Sequence, residues 1–281
     1  MSRLESWYRL IVLTRRVGEI EFNILMFAIT HDGVAFPVVR MLLGKAGISN
    51  TSERRALLDR LLAVIPADRI RAVLADREFI GEGWFATLKT RGVPFVIRVR
   101  KNAHVTSRGC TKRAGTWIRS LPVGAVQRRR RRVRSYGHRL FLTSLKRESD
   151  DLFVVSDHPF EAALGVYGKR WGIETLCSSL KSRGFDLEAT QVRDDERVQT
   201  RGVGPWLLAL LALVFSFALL VGAYLVDRQP ILVKRHGRKA VSVFRVGLDH
   251  LRLTLLNGPY LRGEFSRCLR VLQPLQILSC T

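Results

Sequence analysis

Tyr167, Arg170, Glu174 and Lys181 are residues whose types and spacing could do chemistry together. On an α-helix, at about 100° per residue, intervals of three, four and seven keep all four within an arc of about 60°. One carboxylate is thereby flanked by two cations and a phenol on a single face. Arg170 and Glu174 also form an i, i+4 pair, so an ordinary salt-bridged face carries the same pattern. The segment that must present them turns helical from Pro159, where Asp157 offers a cap and Pro159 suits a first turn.

The elements before that helix follow from apolar periodicity. Residues 10–13 and 23–30 are apolar runs, Asp32-Gly33 marks a hairpin turn, and 34–39 is apolar again, so three consecutive strands are expected. From 52 to 65, Leu57, Leu58, Leu61, Leu62 and Ile65 recur at helical spacing, with Ser52 as N-cap. A short strand over 72–75 ends in Asp76-Arg77-Glu78, a helix spans about 82–90, and a strand runs over 94–99. The order is β-β-β-α-β-α-β. Residues 100–156 differ: short alternating runs, an arginine block at 128–134, and strands over 139–145 and 152–156 read as an antiparallel insertion with a basic edge. That block suits either a solvated loop or direct DNA contact. Beyond 157 the chain is helical.

At 281 residues and 47% hydrophobic content, a sizeable core can be buried, in one large domain or in one carrying an inserted subdomain. Lys and Arg number 47 against 24 Asp and Glu, a net charge of +23, which calls for a polyanionic partner or a membrane surface. Arginine dominates and is spread along the chain, favouring a nucleic-acid-binding body over a detachable arm, although arginine-rich codon usage gives the same excess. Cys110, Cys177, Cys268 and Cys280 lie far apart, which suggests neither a zinc knuckle nor a disulfide framework and fits a reducing cytoplasm. The N-terminus has no export-signal pattern. Residues 205–226 carry no charge and as a helix could cross a bilayer, but Arg201 before and Arg228, Lys234 and Arg235 after give no orientation. A core helix, apolar all round, is the competing reading.

Filled by Tyr167, Arg170, Glu174 and Lys181, the pattern Y-x2-R-x3-E-x6-K resembles that of insertion-sequence-four-like DDE transposases of bacteria. Asn23-Ile24-Leu25-Met26, Asp32-Gly33-Val34-Ala35, the stretch from Ala75 through Asp76-Arg77-Glu78 to Gly81, Pro94 to Arg98, and His236-Gly237-Arg238 to Leu251-Arg252 are similar to the same family. The resemblance extends from about residue 10 to 255 and implies an α/β, ribonuclease H-like fold: a mixed sheet flanked by helices with an inserted antiparallel β subdomain. On that plan 1–99 is the first part of the catalytic domain and 100–156 the basic insertion. Residues 157–255 are the second part, with the Tyr-Arg-Glu-Lys helix and a buried apolar helix, and 256–281 are a tail.

The resemblance also implies the chemistry, DNA strand cleavage and transfer by an Asp-Asp-Glu triad. Asp76, ending the fourth strand, and Glu174, on a helix beyond the insertion, would bind two Mg²⁺ ions through hard carboxylate oxygens, as in-line attack at phosphorus requires. Tyr167, Arg170 and Lys181 would contact transposon-end phosphates. The implied partners are double-stranded DNA, transposon ends and a second copy in a synaptic homodimer. No membrane is expected, because the apolar stretch corresponds to a buried helix, and the expected place is the cytoplasm, on the nucleoid.

One part of the pattern fails. In the family the first aspartate follows an apolar run and precedes an arginine, and the matching stretch is Ile11-Val12-Leu13-Thr14-Arg15. Thr14 stands at the position of the missing first Asp, and a neutral hydroxyl is a poor bridging ligand for two Mg²⁺ ions. Glu19, Glu21 and Asp32 do not fall at the matching position. With 13 residues before Thr14, where the family has a DNA-binding region, a truncated or frameshifted copy is expected. Impaired or absent strand cleavage is expected, and three readings follow: a transposase with residual or full activity, an inactive remnant that still grips DNA, and a basic protein anchored in a membrane by 205–226.

Overall fold

The structure, a computed structural model, describes residues 6–17, 20–31, 34–43, 45, 47–129, 131–160, 162–168, 170, 203–235 and 239–270. The chain divides into two compact units, Met1–Cys177 and Ser178–Thr281.

The first unit is built on one sheet. Strands β1 (Ser6–Val17), β2 (Ile20–His31) and β3 (Val34–Leu43) form an antiparallel meander, each longer than its apolar run. Asp32 and Gly33 lie outside the described residues, between His31 and Val34, which pair with each other. Helix α1 (Thr51–Val64) leads to β4 (Ile70–Ala75), parallel to β1, and α2 (Glu82–Thr90) leads to β5 (Phe95–Val99), parallel to β4. The β-β-β-α-β-α-β order is therefore present. The α1 cap is Asn50, not Ser52: the Asn50 side chain accepts from the Glu53 amide at 2.9 Å, and the Glu53 carboxylate accepts from the Asn50 amide at 2.7 Å. A reciprocal box satisfies two orphan donors at once, which a lone serine inside the first turn cannot do.

β4 and β5 are apolar on both faces, as strands covered on both sides must be. Val73, Ala75, Phe95, Ile97 and Val99 pack with Leu57, Leu58 and Leu61 of α1 and Trp84, Phe85 and Leu88 of α2. Ala72, Leu74 and Val96 point the other way, towards Tyr167 of α3 (Ala163–Gly168).

The insertion supplies β6 (His104–Ser107), β7 (Cys110–Arg113), β8 (Val126–Arg128), β9 (Val133–Ser135), β10 (His138–Leu145) and β11 (Leu152–Ser156). Its pairings are antiparallel, and β11 joins β5, giving the order β3-β2-β1-β4-β5-β11-β10-β9-β6-β7, with β8 also on β10. The main sheet thus runs on into the insertion. Asp157 does not cap a helix from Pro159. It sits buried at the end of β11 and accepts from the Phe95 amide at 2.9 Å, so the helix waits until Ala163.

In the second unit α4 (Val203–Arg228), α5 (Val243–Leu256) and α6 (Gly258–Arg270) follow in order. α4 and α5 cross at glycines: a methyl group on Gly247 would lie 1.7 Å from the Ala218 carbonyl oxygen, and one on Gly222 2.0 Å from that of Val243. Phe215 and Phe244 stack beside this crossing at 4.9 Å. Among the described residues, Leu210–Arg228 of α4 is long and apolar enough to cross a membrane, and 33% of that window is buried.

Asp157→Ala leaves the Phe95 amide without its acceptor at the junction of β5 and β11. The expected cost is about 1–3 kcal/mol, read as a lower urea midpoint at unchanged slope; an unchanged midpoint would show that the bond does not hold the two strands.

Candidate active site

Asp76 is the first residue beyond β4. Side-chain alternation puts it on the face of Ala72 and Leu74, the face that α3 covers. The pairings Leu74↔Val96 and Ala75↔Ile97, continued by one residue, bring it level with Arg98 of β5. Tyr167 descends from α3 onto the same strand end, with Arg170 just beyond.

Asp76 Oδ1 accepts from the Arg77 amide at 2.7 Å and from the Tyr167 hydroxyl at 3.4 Å. Arg98 Nη1 lies 3.8 Å from Oδ1, and Arg170 Nη2 lies 3.8 Å from Oδ2, distances of charge pairing and not of hydrogen bonding. The other fork of Arg98 reaches Asp150, in the turn before β11, with Nη2 at 2.5 Å from Oδ2. Burial pulls the Arg98 guanidinium down, but the bond to Asp150 and the neighbouring Tyr167 and Asp76 more than offset this and leave its pKa raised. The Tyr167 hydroxyl is pushed up, first by burial, with Arg170 opposing.

The turn that carries Asp76 is fixed from behind. The Phe79 amide donates to the Asp76 carbonyl at 2.9 Å. Arg54 of α1, 4% exposed, donates to Ser49 Oγ at 2.9 Å, to the Ser49 carbonyl and to the Glu78 carbonyl at 3.0 Å, and its guanidinium stacks 5.1 Å from the Phe79 ring centre. Glu78 sits half-buried between these charges. Burial, then the Asp76 carboxylate, raises its pKa, with Arg54 and Arg170 opposing.

The structure therefore brings Asp76, Tyr167 and Arg170 together. Glu174 and Lys181 lie outside the described residues. The pairings Trp7↔Ala72, Tyr8↔Val73 and Arg9↔Leu74, continued by two residues, set position 11 beside Asp76. Position 14 is three residues farther along β1, about 10 Å at strand rise, and of opposite parity. The β1 residue level with Asp76 is thus Ile11 and not Thr14. Neither residue is a carboxylate.

Arg54, Arg98 and Glu78 escaped the sequence reading, and two of them had left a signal. Arg98 is the lone charge in the apolar run of β5, and Arg54 shares the core-facing spacing of Leu57, Leu58 and Leu61. For a divalent cation the donor chemistry of Asp76 fits, since it offers hard oxygens at a strand end with a side chain 31% exposed. Among the described residues no group of three metal-binding side chains assembles.

The arginine block forms part of a second feature. Arg108, Arg129, Arg131, Arg132 and Arg139 line a cleft of about 860 Å³ in the insertion together with Trp117, Ser107 and Phe141. Arg129 lies 4.1 Å from the Trp117 ring centre and Arg132 5.1 Å from that of Phe141.

A family model described as transposase DDE domain matches residues 30–214, about two thirds of the chain. The chain belongs to this transposase family. Its mixed sheet flanked by helices is the ribonuclease H-like fold of such domains. No curated protein matches it. Solved structures that match include endonuclease V from Bacillus subtilis, 8% identical, covering 60% of this chain and 71% of that one at a TM-score of 0.32. The assignment of this transposase domain rests on the family match.

Because the pKa of Glu78 in the folded chain lies above its ordinary 4.5, its contribution to stability is complete below that value and is lost as pH rises through the folded pKa. Glutamine resembles the protonated form at every pH. Glu78→Gln is therefore expected to raise the urea midpoint at pH 7, with the gain vanishing towards pH 4; an equal or lower midpoint at pH 7 contradicts this origin of the shift.

Proposed function

We propose that this transposase domain is built for Mg²⁺-dependent cleavage and transfer of DNA strands, with Asp76 and Glu174 as its metal-binding carboxylates. One observation carries the reading: Asp76, at the carboxyl end of a central strand, meets Tyr167 and Arg170 of the Tyr-Arg-Glu-Lys pattern from 91 residues away in the case of Tyr167. Mg²⁺ bound there supplies activation of the entering oxygen and stabilisation of the leaving one.

The chain's own residues do the rest. Tyr167 steadies Asp76 Oδ1 through its hydroxyl, while Arg170, and with it Lys181, offers positive charge to the phosphates of a transposon end. The insertion arginines suit the backbone of double-stranded DNA without reading its sequence. A homodimer would hold two transposon ends side by side.

We further propose that cleavage by this copy is impaired. Counted on from Arg9↔Leu74, the β1 position level with Asp76 is Ile11, and Thr14 is equally unable to bridge cations, so on this reading Asp76 and Glu174 would have to serve where the chemistry needs three carboxylates. That observation favours a second reading, a remnant that still holds DNA.

A nicking assay on supercoiled plasmid with Mg²⁺ tests both parts. The unmodified chain is expected to bind plasmid and nick it weakly or not at all. Ile11→Asp should raise nicking, more than Thr14→Asp, and adding Asp76→Asn or Glu174→Gln should abolish the gain. Full nicking by the unmodified chain, unchanged by either new aspartate, contradicts the impairment. Nicking that survives loss of Asp76 or Glu174 contradicts the carboxylate assignment.

A further inference from the structure

Asp76 just beyond β4, Arg98 on β5 and Asp150 in the turn before β11 come together at the ends of three adjacent strands. Each continues an alternation that is apolar beneath it: Leu74 before Asp76, Val96 before Arg98, and Leu152 after Asp150. Arg98 is the central member. Its side chain is 16% exposed, and its two terminal nitrogens divide between the carboxylates, Nη2 on Asp150 at 2.5 Å and Nη1 towards Asp76 at 3.8 Å. The unequal distances mark a tight bond and a loose one. A planar guanidinium can hold the first while releasing the second.

We infer that Arg98 is an internal counter-cation for Asp76 and that Asp150 is its tether, so that a divalent cation at Asp76 Oδ1 displaces Arg98 towards Asp150. This rests on the metal reading of Asp76 and adds two positioning residues to it. A cation at Oδ1 meets the Arg98 guanidinium there, beside the Arg77 amide and the Tyr167 hydroxyl that this oxygen also accepts, while Oδ2 faces Arg170 at 3.8 Å. Two like charges repel each other there, so each weakens the hold of that oxygen on the other. Asp150 lowers the cost of displacement by keeping a strong acceptor within reach. The turn carrying Asp150 joins β10 to β11, so the tether belongs to the insertion and links that element to the strand-end carboxylate.

Mn²⁺ alone is the probe, titrated into the full chain without DNA and followed by loss of the free-ion paramagnetic resonance signal. Arg98→Gln is expected to tighten Mn²⁺ binding by at least about threefold, since one competing charge leaves. Asp150→Asn, on a side chain 57% exposed, should weaken it by a similar factor, because Arg98 then turns to Asp76. The decisive comparison is the double variant. If Asp150 acts through Arg98, Asp150→Asn has no effect once Arg98 is glutamine. Equal weakening in both backgrounds would mean that Asp150 acts by its charge alone and would overturn the tether. Unchanged binding in Arg98→Gln, with Asp76→Asn abolishing it, would overturn the counter-cation and leave the metal reading intact. Binding that survives Asp76→Asn would overturn both.

Discussion

The parallel pairing of β4 with β5 is the constraint on which the site depends. It sets Asp76 level with Arg98, and the apolar alternation below both residues fixes which face they occupy. A slip of one residue would send Asp76 into the core packed against α1 and α2, where a carboxylate has no partner. Register is therefore enforced by burial on two faces, and the charged cluster inherits its geometry from hydrophobic packing and not from its own ion pairs.

Magnitudes separate what holds this site from what operates in it. Ion pairs open to solvent contribute about 0.2–1 kcal/mol each, and those of Asp76 with Arg98 and Arg170 are long and one-third open on the carboxylate side. Such contacts hold little by themselves. The network behind Asp76 is of another kind. Arg54 is buried, bonded to two backbone carbonyls and a hydroxyl, and stacked on Phe79, and removing such a partner leaves buried groups unsatisfied. The turn that Asp76 opens is held by this buried network, while the carboxylate itself carries only long, partly open ion pairs.

Much of this was legible in the residues. The strand and helix order up to Val99 follows from apolar periodicity, because each element buries a face of definite period. The convergence of Asp76 with Tyr167 and Arg170 came instead from the spacing of a motif and its likeness to a family, since nothing local links residues 91 apart. Caps were misplaced where two residues act together, as Asn50 does with Glu53, and where a polar side chain serves a distant strand, as Asp157 serves Phe95. Flanking residues point to Thr14 as the β1 counterpart of Asp76, whereas the backbone pairing, counted on from Arg9↔Leu74, points to position 11. Arg98 needed the sheet, since its partner Asp150 stands beyond an insertion whose return to β5 is a matter of topology.

The central claim is that the carboxylates of Asp76 and Glu174 share a cation at the carboxyl end of β4. The most direct measurement is anomalous diffraction from a crystal of the full chain grown with Mn²⁺. An anomalous peak within ligand distance of an oxygen from each of these two side chains is the expected result. Side chains that diverge, or Mn²⁺ bound only at other carboxylates, would contradict it.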